Sequence, residues 1–182
     1  MLTIGDKVPA FDLTAVFDTT VPLDGFPRIT HKSYPQKWTI LFFWPKDFTV
    51  VCPTEIIAFN DLKREFDNRD AVLLGASTDS EFVHLVWRQS RGDLAAVDFP
   101  WLADMRKDLT KALGILDEEE GVARRATFIA DPDGIIRYAA VNDISVGRNP
   151  TEVLRILDAL QTDELCPGNW TPGTETLSSS PR

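Results

Sequence analysis

Trp38-Thr39-Ile40-Leu41-Phe42-Phe43-Trp44 is an aromatic and aliphatic run broken by a single threonine. A half-buried strand alternates apolar and polar residues. An unbroken run of this length reads instead as a central strand covered on both faces, which requires neighbours on both sides and helices above and below. The period then changes. From Pro53 onward Ile56, Phe59, Leu62 (or Lys63) and Phe66 recur as one face of a helix. Between the two patterns lies Pro45-Lys46-Asp47-Phe48-Thr49-Val50-Val51-Cys52, so the chain carries a cysteine from the end of a central strand to the start of a helix.

That placement matters because a thiol reacts as its thiolate, and unsatisfied amides and the macrodipole at a helix N-terminus favour negative charge. With Thr49 read as the cap, the Cys52 N–H is among the first free donors, and the Thr49 hydroxyl shares a face with the sulfur one turn on. A small oxygen-rich substrate fits between them. Pro53 falls in the first turn, where a missing N–H costs little, and Glu55 is placed to accept backbone or arginine hydrogen bonds. The plain alternative for Cys52 is a small buried hydrophobe.

The rest of the chain continues an α/β rhythm. Ala71–Ser77 reads as a second buried strand, followed by a helix through Phe82, Val83, Leu85, Val86 and Trp87 that starts near Asp79 or Ser80. Phe99–Asp104 and a helical Leu109–Leu113 come next. Ala126–Ala130, the turn Asp131-Pro132-Asp133-Gly134 and Ile135–Val141 read as a hairpin, which makes the sheet mixed. Val153, Ile156, Leu157 and Leu160 give a closing helix after Gly147-Arg148-Asn149-Pro150. Residues 1–37 carry only short pieces such as Ala10-Phe11-Asp12-Leu13, suited to a hairpin or edge strand. From Pro167 to Arg182 no amphipathic period remains, which is the pattern of an arm without a core of its own that orders on a partner.

Length and charge limit the partners. A chain of 182 residues with 43% hydrophobic content holds one well-packed domain. A net charge of −9 opposes association with nucleic acid or an anionic membrane, and no stretch reaches the length of a membrane span. Without a leader-like N-terminus the expected compartment is the cytoplasm. Two cysteines in a reducing compartment point to a transient, catalytic disulfide rather than a staple. The two cysteines and two histidines contain no close ligand pair, so no metal and no cofactor is expected. His84 lies far in pattern from either cysteine, and Asp117–Glu120 reads as a solvated loop.

Pro45-x-x-x-Thr49-x-x-Cys52, with Pro53-Thr54-Glu55 after it and Glu164-Leu165-Cys166-Pro167-Gly168-Asn169-Trp170 far downstream, resembles the peroxiredoxins of the typical two-cysteine branch. The resemblance runs from Gly5-Asp6-Lys7-Val8-Pro9-Ala10-Phe11 to about Trp170. It implies a thioredoxin-like α/β domain over 1–166, with a mixed central sheet flanked by helices and a flexible arm over 167–182. It implies a thiol-dependent peroxidase acting on hydrogen peroxide and organic hydroperoxides, with Cys52 as peroxidatic nucleophile and Cys166 of the neighbouring subunit as resolving thiol. Otherwise Cys166 is an incidental tail thiol. Arg125 aligns with the arginine beside the peroxidatic sulfur, with Arg124 as the alternative. Arg148 and Glu55 match the pair that holds that arginine in place.

Pro45 is a strand terminator, a lid over the nucleophile, or both. Phe48, Trp44 and Trp87 read as core or pocket wall. The implied partners are a second copy, with dimers building a decameric or dodecameric ring, and a dithiol reductant, which is thioredoxin, an AhpD-like protein or a flavoprotein. Three positions depart from the pattern. Val50 stands where Phe is common, and Gly168 where some relatives carry a further cysteine. The tail lacks the Tyr-Phe ending of peroxide-sensitive members, so Cys52 is expected to resist over-oxidation. A disulfide reductase fits poorly without adjacent C-x-x-C thiols. A holdase or redox adaptor using oligomeric apolar surfaces is the reading from another class.

Overall fold

The apolar run is an interior strand of a seven-stranded sheet, paired along both edges, and from Ile40 onward it is buried because an apolar layer covers each face. The computed structural model describes residues 1–20, 22 and 25–177. Its elements in chain order are β1 (Asp12–Val16), β2 (Arg28–Thr30), β3 (Trp38–Phe43), α1 (Val51–Asp61), α2 (Lys63–Asp67), β4 (Ala71–Ser77), α3 (Glu81–Ser90) and α4 (Gly92–Ala95). They continue with β5 (Trp101–Ala103), α5 (Asp108–Ala112), β6 (Leu116–Asp117), β7 (Val122–Ala123), β8 (Arg125–Ala130), β9 (Ile136–Asn142) and α6 (Pro150–Gln161).

The sheet order is β2-β1-β5-β4-β3-β8-β9, and β6 with β7 forms a separate two-stranded piece. β3 runs parallel to β4, with Trp38 opposite Ala71 and Phe43 opposite Ala76, and antiparallel to β8, with Ile40 opposite Ile129. The β8–β9 hairpin is the one the turn residues implied. Gly134 takes φ +77°, and the Asp131 carboxylate accepts from the Asp133 and Ile135 amides. The N-terminal piece pairs as β1 with β2, but β1 also pairs with β5, so β2 is the edge.

Successive residues of β3 point to opposite faces. Ile40, Phe42 and Trp44 join Ile56 and Phe59 of α1, Trp87 of α3, and Val153 and Leu157 of α6 in one apolar layer. Leu41 and Phe43 join Leu74, Leu102, Leu109 and Phe128 in the other. Burying such side chains is worth roughly 1.5–3 kcal/mol each, which fixes the end of β3 between the two layers and Cys52 within the first of them.

The C-terminal arm differs from the expectation of a segment with no packing of its own. As far as Leu177 it folds back on α6. Trp170 is buried, its carbonyl accepts from Arg155 Nη1 at 2.8 Å, and its indole donates to the Thr174 carbonyl at 3.1 Å. Leu177 N donates to Leu165 O at 2.8 Å. One aromatic side chain with two local hydrogen bonds anchors the segment without any periodicity. Residues 178–182 of the arm lie outside the described residues.

Candidate active site

The segment between β3 and α1 is held from below. The Trp44 indole donates to Asp47 Oδ1 at 2.6 Å, and the Asp47 amide donates to Asp79 Oδ2 at 2.9 Å. Asp47 Oδ2 meets His84 Nδ1 at 2.7 Å, and His84 Nε2 meets the Leu102 carbonyl at 3.2 Å. Both imidazole nitrogens therefore face acceptors, which a neutral ring cannot serve with its single N–H. The buried pair keeps an extra proton, on His84 or shared with Asp47. Burial opposes charge on His84, but the charge and hydrogen bond of Asp47 prevail and hold it above the ordinary histidine value. Burial also raises Asp47, against the counter-pull of His84 and the Trp44 indole.

No motif in the sequence announces this network. The signal that could have found it is His84, Trp87 and Arg88 at helical spacing on the buried side of α3, where a histidine needs polar partners. Arg88 finds the carbonyls of Val16 and Phe99 at 3.3 and 3.4 Å, and that of Val97, and lies over the Trp101 ring.

With the loop so anchored, Phe48 takes a left-handed φ of +57° and its ring lies 5.8 Å from that of Trp87. The helix then starts one residue later than the cap reading required. Val50, 86% exposed, holds the N-cap position with no side-chain bond, and the Thr49 hydroxyl turns back to donate to the Lys46 carbonyl at 3.0 Å. Thr49 is thus not the cap, because the left-handed turn at Phe48 directs its side chain into the loop. Cys52 remains in the first helical turn, with Pro53 next to it. Pro45 is buried, Trp44 and Trp87 are core residues, and Phe48 is the exposed ring of the three.

Around Cys52 the expected charges converge. Arg125, at the start of β8, donates Nη1 toward Cys52 Sγ at 3.6 Å and to Glu55 Oε2, and Nη2 to the Ile144 carbonyl at 2.8 Å. Arg124 is exposed. Glu55, three residues after Cys52 on α1, accepts from Arg148 N and Nε at 2.8 Å and from its Nη2 at 3.0 Å. Arg148 Nη1 also donates to the Ala126 carbonyl at 2.8 Å, and its guanidinium lies over Phe42 and Phe59. Cys52, Glu55 and Arg125 are at most 2% exposed. Two guanidiniums around one carboxylate leave one buried positive charge, and the sulfur is where its counter-charge can sit. Arg125 Nε has no hydrogen-bond partner among the described residues.

Cys166 stands apart from this cluster. Its sulfur lies 3.5 Å from Thr162 Oγ1 and 3.8 Å from the Ala159 carbonyl at the end of α6. Both cysteines are free thiols. Among the described residues no group of three or more His, Cys, Asp or Glu side chains is arranged to hold a metal, and no helix is long and apolar enough to cross a membrane.

A family model described as the AhpC/TSA family matches residues 4–139. The chain belongs to the AhpC/TSA family. It is 52% identical over 186 residues to the alkyl hydroperoxide reductase C of Mycolicibacterium smegmatis, covering 98% of this chain and 95% of that one. The solved Mycobacterium tuberculosis AhpC superposes with a TM-score of 0.85 at 51% identity, covering 93% of this chain and 99% of that one. The reduced 2-Cys peroxiredoxin of Plasmodium vivax gives 0.87 at 33% identity, covering 95% and 91%. As an AhpC/TSA member the chain is a thiol-dependent peroxidase, and its mixed sheet with flanking helices is the thioredoxin-like fold of that family.

Proposed function

We propose that this peroxidase reduces hydrogen peroxide and organic hydroperoxides through Cys52, and that Cys166 of a second copy resolves the product. The observation that carries the reading is the single uncompensated guanidinium charge beside a buried sulfur at a helix start. The Cys52 thiolate attacks one peroxide oxygen. An S–O bond forms as the O–O bond breaks, and hydroxide or alkoxide leaves and takes a proton as water or alcohol. Arg125, pre-aimed by Glu55 and the Ile144 carbonyl, stabilises the charge that develops on the departing oxygen. Thr49 serves as a donor on turning its hydroxyl away from the Lys46 carbonyl, and the buried Pro45 is the lid of the same loop.

The Cys52 sulfenic acid then condenses with the Cys166 thiol. An S–S bond forms, the S–O bond breaks, and water leaves with the thiol proton. An external dithiol, supplied by thioredoxin, an AhpD-like protein or a flavoprotein, returns both cysteines to thiols. The peroxidase domain is residues 1–166, which carry both Cys52 and Cys166, and the tail 167–182 follows the resolving cysteine. Assembly as a two-fold dimer, with dimers in a decameric or dodecameric ring, is supported by exposed apolar side chains at Val50, Ile144 and Val146, and at Phe82 and Val86 on one face of α3. The free thiols and the need for a reductant favour the cytoplasm.

The test is trapping. In Cys166→Ser treated with one equivalent of hydroperoxide, dimedone should label Cys52. Label elsewhere, or none while peroxide is consumed, rejects Cys52 as the nucleophile.

A further inference from the structure

The exit from α6 turns on a single hydroxyl. Thr162 Oγ1 donates its only proton to the Ala159 carbonyl at 2.8 Å and accepts from the Glu164 amide at 3.1 Å. Asp163 between them takes a left-handed φ of +54°, which closes the helix end and reverses the chain. Cys166 Sγ lies 3.5 Å from that same oxygen and 3.8 Å from the Ala159 carbonyl. Because the hydroxyl proton is already committed, the sulfur contact runs the other way, with the Cys166 thiol donating to Thr162 Oγ1 or to Ala159 O.

We propose that Thr162 is a positioning residue that docks the Cys166 thiol on the C-terminus of α6 and so sets the rate of the resolving step. The inference rests on the reading of Cys166 as the resolving thiol. To condense with the Cys52 sulfenic acid, Cys166 must bring its sulfur lone pair onto the other sulfur, which requires leaving both oxygen acceptors. The docked state therefore subtracts from the population competent to resolve. The rest of the arm reinforces docking through the Arg155–Trp170 and Leu177–Leu165 hydrogen bonds, and through the Thr176 hydroxyl on Glu164. Thr162 is the member of this set that touches the thiol itself.

The experiment compares Thr162→Val, Thr162→Ala and Thr162→Ser. In a Cys52→Ser background, alkylation of Cys166 by iodoacetamide should be roughly three- to tenfold faster in the Val and Ala variants, the range set by the net worth of one hydrogen bond, and at the wild-type rate in Thr162→Ser. With Cys52 present, disulfide formation after one equivalent of peroxide should accelerate by the same factor. The peroxide concentration that gives half-maximal Cys52 sulfinic acid should rise in step. Two non-hydroxyl variants guard against a folding failure of either one. Unchanged alkylation, or faster alkylation with unchanged disulfide formation, overturns the positioning role. Faster alkylation in the variants together with no Cys52–Cys166 disulfide in the wild type instead overturns the reading of Cys166 on which it rests.

Discussion

Arg125 Nη1 reaches to 3.6 Å of Cys52 Sγ while the same guanidinium is gripped by Glu55 and by the Ile144 carbonyl. A guanidinium free to rotate would lose entropy on meeting the substrate. This one is already held. Arg125→Ala should lower the second-order rate constant for peroxide by about 10²–10³, the cost of losing one pre-aimed donor to a developing oxyanion. Arg125→Lys should recover little, because an ammonium cannot span sulfur, carboxylate and carbonyl at once. Stopped-flow peroxide reduction measures both, and a loss below about threefold would assign stabilisation of the leaving oxygen elsewhere.

Glu55 should matter more to folding than either arginine does alone. Glu55→Gln removes the carboxylate that the two buried guanidiniums share, and breaking such a buried pair costs roughly 3–5 kcal/mol. The urea midpoint should fall accordingly with an unchanged slope. A midpoint within experimental scatter of wild type would mean that the arginines find other partners.

The Asp47–His84 pair predicts how stability varies with pH. His84 is raised above its ordinary 6.5, so its contribution is complete below that unfolded value and disappears as pH rises through the higher folded value. Asp47, also raised, binds protons more tightly when folded and gives a slope of the same sign. The facing groups are Asp47 and Asp79, with the Leu102 carbonyl on the far side. Urea midpoints should therefore decline as the pH rises above 6.5, and the decline should be much smaller in His84→Gln. A wild-type midpoint that climbs over this range contradicts the assignment.

Gly75 on β4 leaves room for Trp44. A Cβ there would stand 2.7 Å from Trp44 Cζ3, 3.1 Å from Phe99 Cε2 and 3.2 Å from Phe42 Cζ, all on rings with almost no freedom to retreat. Gly75→Ala should lose about 1–3 kcal/mol through overpacking. Because Trp44 also carries the bond to Asp47, the loop before Cys52 should exchange its amide hydrogens faster in this variant.

What is legible in the sequence divides along physical lines. β3 and α1 are legible because burial on both faces removes polar alternation and because the helical period resumes at Pro53. Arg125 separates from Arg124 only through the resemblance, and its burial against an exposed neighbour agrees with that choice. The start of α1 lies one residue beyond the position that local capping rules give. Its register depends on the left-handed Phe48 and on Asp79, a carboxylate 32 residues away that fixes the Asp47 amide. No local pattern records such a bond. Trp170 shows the same gap, since one buried ring in a Pro- and Gly-rich stretch leaves no periodic trace. The acidic Asp117–Glu120 run reads as a solvated loop, yet Asp117 ends β6 and Glu120 forms an exposed ion pair with Lys46 beside the active-site loop. A pair that exposed is screened by water and adds little to stability.

The cycle as a whole is tested most directly by non-reducing electrophoresis after one equivalent of hydroperoxide, with wild type beside Cys52→Ser and Cys166→Ser. A dimer-sized band, reversed by dithiothreitol, is expected in wild type alone. Rapid peroxide loss in wild type with no such band would contradict the Cys52–Cys166 pairing and move resolution to an external thiol.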